Sequence, residues 1–473
     1  MSAVACVPAA RPAPAVPRLA SLNEGKPPSA RVEHVATEPF GEGGDLWVRH
    51  YRLGNGLDLI YLRDEAAPVF SYHTWLRVGS RDEREGKTGL AHLFEHLMFN
   101  ETDSLARGQF DRILEAAGAQ SNAGTWVDWT FYYEDLPASE IDLVVRLEAD
   151  RLGHLVLREP QVTSEREVVA NERRFRVDDD VSGEMNEMMW ATSFTVHPYH
   201  WPTIGWMRDI EAFTPQDCED FYRRFYAPNR VTLVVVGDVD ERRLLRLVQS
   251  HYGAMARQPE ETTRATPEPP QLLERRQEIR RPVSSDKLQI GWRGPALTDR
   301  DHAPLSVLSE ILFGGRSSRL FRRLVVEGEI AREARGWVST FRDPGLYEVS
   351  VDLREGRTAE EALAIVDEEA ARIRRQAPSG SELEKARNRI ELGLLQSLQT
   401  TGGKAEQLGF WQVTAGDFRG VFRRLEETRA VTADDVRRVA RRYLRRRART
   451  IVIARPAPAA EPAAEAAAGE DAS

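Results

Sequence analysis

Residues 89 to 99 read "GLAHLFEHLMF", and within this apolar run stand His92, Glu95 and His96. On a helix, residues four apart share a face, so the two imidazoles can present nitrogens to one cation. Glu95 falls three residues after His92 and one before His96, beside the pair, where it can handle the proton of a water rather than bind the metal. The order inverts the commoner zinc-protease spacing, but the chemistry it suggests is the same: zinc makes water more acidic and a carboxylate takes the proton. The alternative is a pair of helix histidines satisfied by ordinary hydrogen bonds next to a surface glutamate. Leu93, Phe94, Leu97, Met98 and Phe99 count against it, because they leave little solvent on this helix and buried polar groups persist only when paired or coordinated.

A tetrahedral site needs a third protein ligand. "TSEREVVANERRFRVDDD", starting at Thr163, reads as a helix that Thr163 or Ser164 can cap. In it Glu165 and Glu172, seven apart, lie on one face. One of them could ligate the metal while the other orients an imidazole. Equally, both could belong to a solvated face with Glu and Arg in ion-pairing spacing.

The elements that must position these groups follow from the rest of the chain. Its 473 residues exceed a single typical core and predict at least two domains. With 41% hydrophobic and 29% charged residues the chain reads as globular. A formal charge of -9, with both signs interspersed, argues against a nucleic-acid partner, which would call for a basic patch. Cys6 and Cys218 are the two cysteines, which excludes a disulfide framework or a cysteine metal cluster; Cys218 falls in a helical pattern and is expected to pack. Apolar runs such as "VTLVVV" at 231 to 236 are strand length, so no membrane span is predicted. The first 40 residues show no secretory signal. The expected compartment is therefore the cytoplasm, or the periplasm if a signal lies upstream of the given start.

Pro- and Ala-rich residues 1–38 and the tail 456–473 are predicted to be disordered. "RQPEETTRATPEPPQLLERRQ" interrupts the middle and predicts a linker over 257–280, between domains 39–256 and 281–455. The two domains end alike. The segment from Phe213 ("FTPQDCEDFYRRFYAPNRVTLVVVGD") aligns without a gap with that from Val431 ("VTADDVRRVARRYLRRRARTIVIARP"). Thr214 matches Thr432 as a helix cap, and Thr232 matches Thr450 in a closing strand. Alternating strands such as "GLDLIYL", "FSYHTWLRV", "KLQIGWRG" and "GLYEVSVDL" cluster within each half beside long helices. The fold class expected is α+β, a sheet-plus-helices domain repeated in tandem.

His92, Glu95 and His96, followed by Glu172 in "EREVVANE", together with "FYAPNRVTLVVVGDV" and "GGRSSRLFRRL", resemble the pitrilysin-like M16 family of inverted-motif zinc peptidases (inverzincins). The resemblance covers roughly residues 40 to 455. It implies a LuxS/MPP-like metallohydrolase fold and one zinc ion per chain, held by His92, His96 and Glu172. It further implies Glu95 as general base and Glu165 as a carboxylate supporting a ligand histidine. The length and linker position resemble the M16B type, whose two-domain subunits pair into a clamshell around a chamber that admits unfolded peptides of limited size. In "QSNAGTWVDWTFYYED" the resemblance implies an edge strand that adds substrate as an extra strand. Asn122, Ala123 and Thr125 there match the positions that grip substrate backbone; without the resemblance it is an ordinary aromatic hairpin. Aligning Phe99 with Phe313 sets Ser306, Ser309 and Glu310 opposite His92, Glu95 and His96, so the second half has lost the ligands.

One departure implies a partner. Many members carry in the second domain an arginine and a tyrosine, seven residues apart, that help bind and polarise the substrate. In "SRLFRRLVVEGEIARE" Val325 and Arg332 occupy those positions. The expectation is a heterodimer with a related zinc-less subunit that supplies the Arg/Tyr pair, or otherwise a homodimer. The alternative is a shifted alignment in which Arg322, Arg323 or Arg332 acts. A non-catalytic structural or assembly subunit is the competing reading of the whole chain. Three further features read as structural: "HPYH" around His197 and His200 as loop packing, Met185, Met188 and Met189 as core, and "RRVARRYLRRRAR" as a solvated helix face.

Overall fold

A computed structural model describes residues 12–41, 45–259 and 264–458. Two sheets form, each over its own helical core. The first contains β1 (Val32–Pro39), β2 (Trp47–Leu53), β3 (Asp58–Arg63), β4 (Val69–Leu76), β5 (Gln120–Thr125), β6 (Thr130–Pro137) and β7 (Val231–Gly237), in the order β1-β2-β3-β7-β4-β6-β5. The second contains β8 (Arg275–Arg281), β9 (Lys287–Arg293), β10 (Ala331–Val338), β11 (Leu346–Leu353) and β12 (Arg449–Pro456), in the order β10-β11-β9-β12-β8. The run β3-β7-β4-β6-β5 therefore recurs as β8-β12-β9-β11-β10. In each run only the contact of the closing strand with its outer neighbour is parallel, β7 on β3 and β12 on β8. The duplication read from the matching ends is thus a duplication of topology. Thr214 and Thr432 each form a capping box with an aspartate three residues on, the local chemistry that starts both closing helices.

The halves exchange helices. Helix Thr401–Ala415, from the second half of the chain, lies over β4 and β7 of the first sheet. There Ala405, Leu408 and Val413 bury against Trp75, Val234 and Val236. A side chain at Gly409 would strike the Trp75 ring, so glycine is what lets this helix come close. Reciprocally, helix Val181–Ser193 lies over β12 and β9, with Met185 and Met189 buried beside Leu346, Val452 and Ala454. The methionines are core, as their pattern suggested. β7 is buried along its whole length because both its faces are covered, which is why "VTLVVV" reads as a continuous apolar run rather than an alternating one.

Three expectations need correction. The predicted disorder of 1–38 fails over the described part. Residues 19–23 form a short helix, β1 pairs with β2, and Leu22, Ala30 and Val32 are buried; residues 1–11 lie outside the described residues. Composition misled because β1 takes its backbone partners from β2 rather than its stability from its own apolar content. The linker is not plain chain either: its end is β8, paired along β12. Its Glu268 accepts from the amides of Thr195, Val196 and His197 at 2.8–3.0 Å. Burial opposes ionisation of Glu268, but those donors and the Thr195 hydroxyl hold its carboxyl down at about 2. Of the predicted tail, Pro456 ends β12 and residues 459–473 lie outside the described residues. Among the described residues no helix is long and apolar enough to cross a membrane.

Candidate metal centre and its edge strand

The motif helix, Leu90–Leu97, begins at Gly89 with φ 96°, a left-handed conformation that glycine adopts without strain. A Cβ at Gly89 would also stand 2.5 Å from the Ile204 carbonyl oxygen. No side chain caps the helix from the N-cap position. Instead Glu83 reaches in from upstream, accepting from the amides of Gly89 at 2.9 Å and Ala91 at 2.7 Å. Burial pushes the Glu83 carboxyl well above its usual range against the pull of those two amides. Deeper in, the Tyr132 hydroxyl on β6 donates to the Phe94 carbonyl oxygen at 3.2 Å and pairs with the Tyr226 hydroxyl at 2.9 Å. Phe94 itself stacks 5.0 Å from Phe221. The helix is therefore tied to the sheet through its backbone as well as its apolar face.

Glu172 comes from the helix Glu159–Arg173, whose next turn, Arg174–Asp178, widens into a π-helix. Glu172 Oε2 stands 3.6 Å from His92 Nε2 and 3.2 Å from His96 Nε2. One ligand atom from each of the three residues falls within 4.8 Å of the others. Three such donors from three side chains are what a tetrahedral cation with an open position requires. The buried Glu172 Oε2, the oxygen nearest both imidazoles, has no well-aligned hydrogen-bond partner among the described residues. Such an orphaned oxygen fits a site that a cation completes.

The electrostatics agree with the geometry. Burial and the neighbouring His96 ring push His92 down to about 4, which favours the neutral ring with one nitrogen lone pair available. Burial also pulls His96 down, but the carboxylates of Glu172, Glu95 and Glu165 outweigh it and leave His96 raised. Glu172 is held low first by His96 and then by His92 and Arg176, against burial. Burial raises Glu95, opposed by the Thr125 hydroxyl, so the expected base sits in a partly desolvated place beside β5.

Glu165 is buried on the same helix as Glu172, but its hydrogen bonds go to Asn100 Nδ2 at 3.1 Å and Arg107 Nη2 at 3.0 Å rather than to an imidazole. Its influence on His96 is through charge. Sequence reasoning missed Asn100 and Arg107, for which no spacing gave a signal. It also missed Arg176, whose Nε lies 3.0 Å from Glu172 Oε1 and whose i,i+4 spacing was readable.

Among the described residues β5 is the edge of the first sheet, with β6 on one side and no strand on the other. Asn122, Ala123 and Thr125 lie along it, and the Ala123 amide donates to Asn122 Oδ1 at 2.9 Å. That amide is covered by a short side chain that an incoming strand can displace. In the second half, the helix His302–Phe313 matches the motif helix. There Glu310 pairs with Arg389 at 2.9 Å, and Ser306 bonds back to the His302 carbonyl. An ion pair stands where the first half gathers its metal-binding donors. Val325 packs on the second core and Arg332 donates to Ser285 at 2.9 Å.

The remaining singled-out residues are structural. His197 bonds Asp343 at 3.1 Å and His200 the Phe194 carbonyl at 3.2 Å. Arg438 and Arg442 pair with the buried Asp301. Cys218 is buried and its thiol is pushed up to about 12 by burial.

Comparison with known proteins gives matches over both halves. The family description "Insulinase (Peptidase family M16)" matches residues 59–205 and "Peptidase M16 inactive domain" matches residues 212–390. A "Zinc protease PqqE" of Helicobacter pylori is 29% identical over 411 residues, covering 85% of this chain and 92% of that protein. A "Mitochondrial-processing peptidase subunit beta" of Lentinula edodes is 26% identical over 419 residues, covering 83% and 86%. The crystal structure of a protease from Helicobacter pylori superposes with a TM-score of 0.82 at 28% identity, covering 86% of this chain and 99% of that one.

Proposed function

The chain belongs to peptidase family M16, and from that premise we propose that it is a zinc-dependent endopeptidase with its single catalytic centre in the first half. The observation that carries this reading is the convergence of His92, His96 and Glu172 on one point, with Glu95 on the same helix as the two histidines. Those three residues would hold the ion. A zinc ion bound there supplies Lewis acidity to water and to the scissile carbonyl. Glu95, one residue before His96 on the same helix, would accept the proton of the attacking water and then deliver it to the leaving amine. β5 positions the peptide by backbone pairing, with the Asn122 side chain giving up the Ala123 amide to the incoming strand.

The competing reading is a non-catalytic subunit. The intact donor set in the first half, set against the Glu310–Arg389 pair in the second, favours catalysis. Val325 carries no side-chain donor and Arg332 spends its Nη2 on Ser285 within the second half, so the Arg/Tyr pair would come from a second, related zinc-less subunit. The name of the Lentinula relative, a subunit, supports a partnered arrangement, as does the clamshell expectation.

Metal analysis together with Glu95→Gln tests the reading. The variant should keep one zinc per chain and lose about 100-fold or more in peptide cleavage, measured with and without the partner subunit. A wild-type protein that binds no stoichiometric zinc, or a Glu95→Gln variant that cleaves normally, defeats it.

A further inference from the structure

The arginines between Arg437 and Arg449 divide into those the fold uses and those it leaves to solvent. The helix Ala433–Tyr443 buries Val436, Val439 and Ala440, and its Arg438 and Arg442 are spent on the buried Asp301. Arg449 is buried too, held by Glu274 at 2.7 Å and by Asp367. Arg441, Arg445 and Arg447 are exposed. Arg441 gives its Nε to the Arg374 carbonyl oxygen at 2.7 Å, and Arg445 gives its own to the Arg441 carbonyl oxygen at 3.3 Å. The first of these bonds joins the run to the end of the helix Ala359–Arg375, where Arg375 is exposed as well. Among the described residues no carboxylate lies within ion-pair distance of Arg375, Arg441, Arg445 or Arg447. Four unneutralised guanidinium groups therefore gather at the ends of two adjoining helices, in a chain whose formal charge is -9.

Two leucines lie beside them. Leu272 and Leu273, just before β8, are 74% and 77% exposed and take no part in the second core. Their loop is anchored from below: the buried Gln271 donates from Nε2 to the Arg449 carbonyl oxygen at 2.7 Å and to the Leu273 carbonyl oxygen at 3.1 Å. Arg449 directly follows the turn Arg446–Ala448, so the leucines stand at the end of the sheet where Arg445 and Arg447 emerge. The nearby carboxylates are already taken, Glu274 by Arg449 and Asp367 by Arg449 and Arg446. A single exposed leucine calls for no explanation, but an adjacent, anchored pair rimmed by cations does.

We propose that this end of the second half is a docking surface for an anionic lipid bilayer. Leu272 and Leu273 enter the boundary between headgroups and acyl chains, while Arg375, Arg441, Arg445 and Arg447 face the anionic headgroups. Apolar insertion and a basic patch each bind a bilayer weakly, and together they give a stable, reversible attachment that needs no spanning helix. The acidity of the rest of the chain does not cancel the patch, because charges more than about 8 Å away are largely screened at physiological salt. A nucleic acid would use the arginines but has no place for two aliphatic side chains, since its contacts with protein are dominated by phosphate. The inference is independent of the peptidase reading: the surface belongs to the half that has lost the metal-binding donors.

Flotation of the full chain with phosphatidylcholine vesicles, with and without about one-third phosphatidylglycerol, tests the assignment over a range of salt. Wild type should bind the anionic vesicles at least about 10-fold more tightly than the neutral ones and should be released as salt rises. Arg445→Gln and Arg447→Gln should each weaken binding about fivefold. Replacing Leu272 and Leu273 together by Ser should weaken it about 10-fold or more. All four side chains are exposed, so thermal unfolding of the variants should match that of wild type. Failure of the wild type to bind anionic vesicles overturns the proposal. So does a leucine variant that binds as tightly as wild type, or a pair of arginine variants that lose nothing, since the contact would then lie elsewhere or be charge alone. Tighter binding to a short DNA duplex than to the vesicles, unaffected by the leucine changes, assigns the arginines to a nucleic acid and overturns the membrane assignment as well.

Discussion

At the scale of single residues, the two glutamates of the helix Glu159–Arg173 separate into different jobs. Glu172 faces both imidazoles and has an orphaned buried oxygen, whereas Glu165 spends its hydrogen bonds on Asn100 and Arg107. Replacing Glu172 by Gln should abolish stoichiometric zinc, because the variant exchanges a charged oxygen ligand for a neutral amide. Glu165→Gln keeps an acceptor for Asn100, and its effect on zinc affinity should stay at or below about 10-fold, the low end for residues that act on a metal through another group. Zinc titration of the two variants against a competing chelator ranks them; equal losses would mean that Glu165 holds a histidine directly. The sequence contained both glutamates on one face but not their division of labour. That division depends on Asn100 and Arg107, which reach Glu165 from 65 and 58 positions away and leave no trace in local spacing.

At the scale of elements, the motif helix is short, lacks a side-chain cap at its start and carries two imidazoles that must not drift. Glu83 supplies what the helix itself lacks by taking the amides of Gly89 and Ala91, donors that would otherwise be left without partners. Glu83→Ala should cost about 1–3 kcal/mol of stability, the range for stranding buried donors, and should weaken zinc binding because His92 sits one residue beyond Ala91. Thermal unfolding of the zinc-free and zinc-loaded protein separates the two effects, and an unchanged zinc-dependent shift would show that Glu83 stabilises the fold without positioning the site. The helix and its ligand spacing were legible because a 3.6-residue apolar period and paired histidines are local signals. Glu83 was not, since a carboxylate six residues before the amide it serves matches no capping pattern. The capping boxes at Thr214 and Thr432, which do match one, were readable and form.

At the scale of the whole molecule, each half completes the other. Without helix Thr401–Ala415 the first sheet would expose Trp75, Val234 and Val236 on its outer face, and without helix Val181–Ser193 the second would expose Leu346, Val452 and Ala454. The matching ends of the halves revealed the duplication, but the exchange was hidden, because a helix's own sequence does not say which of two similar sheets it will cover. A buried polar network reinforces the junction: Asp128, on the turn between β5 and β6, accepts from Tyr199 at 3.0 Å and from the Arg342 amide at 2.7 Å. Arg81 pairs with both Asp128 and Asp343. The second half thereby holds the turn that ends the proposed substrate strand. A first half produced alone, cut within the segment between β7 and β8, is therefore expected to aggregate, since it would present a contiguous apolar sheet face to solvent. Co-production of the second half as a separate chain should restore a soluble complex that binds zinc with the affinity of the intact protein. A soluble, zinc-binding first half that stays monomeric in sedimentation would mean that helix exchange is dispensable and that the two halves are independent domains in the ordinary sense.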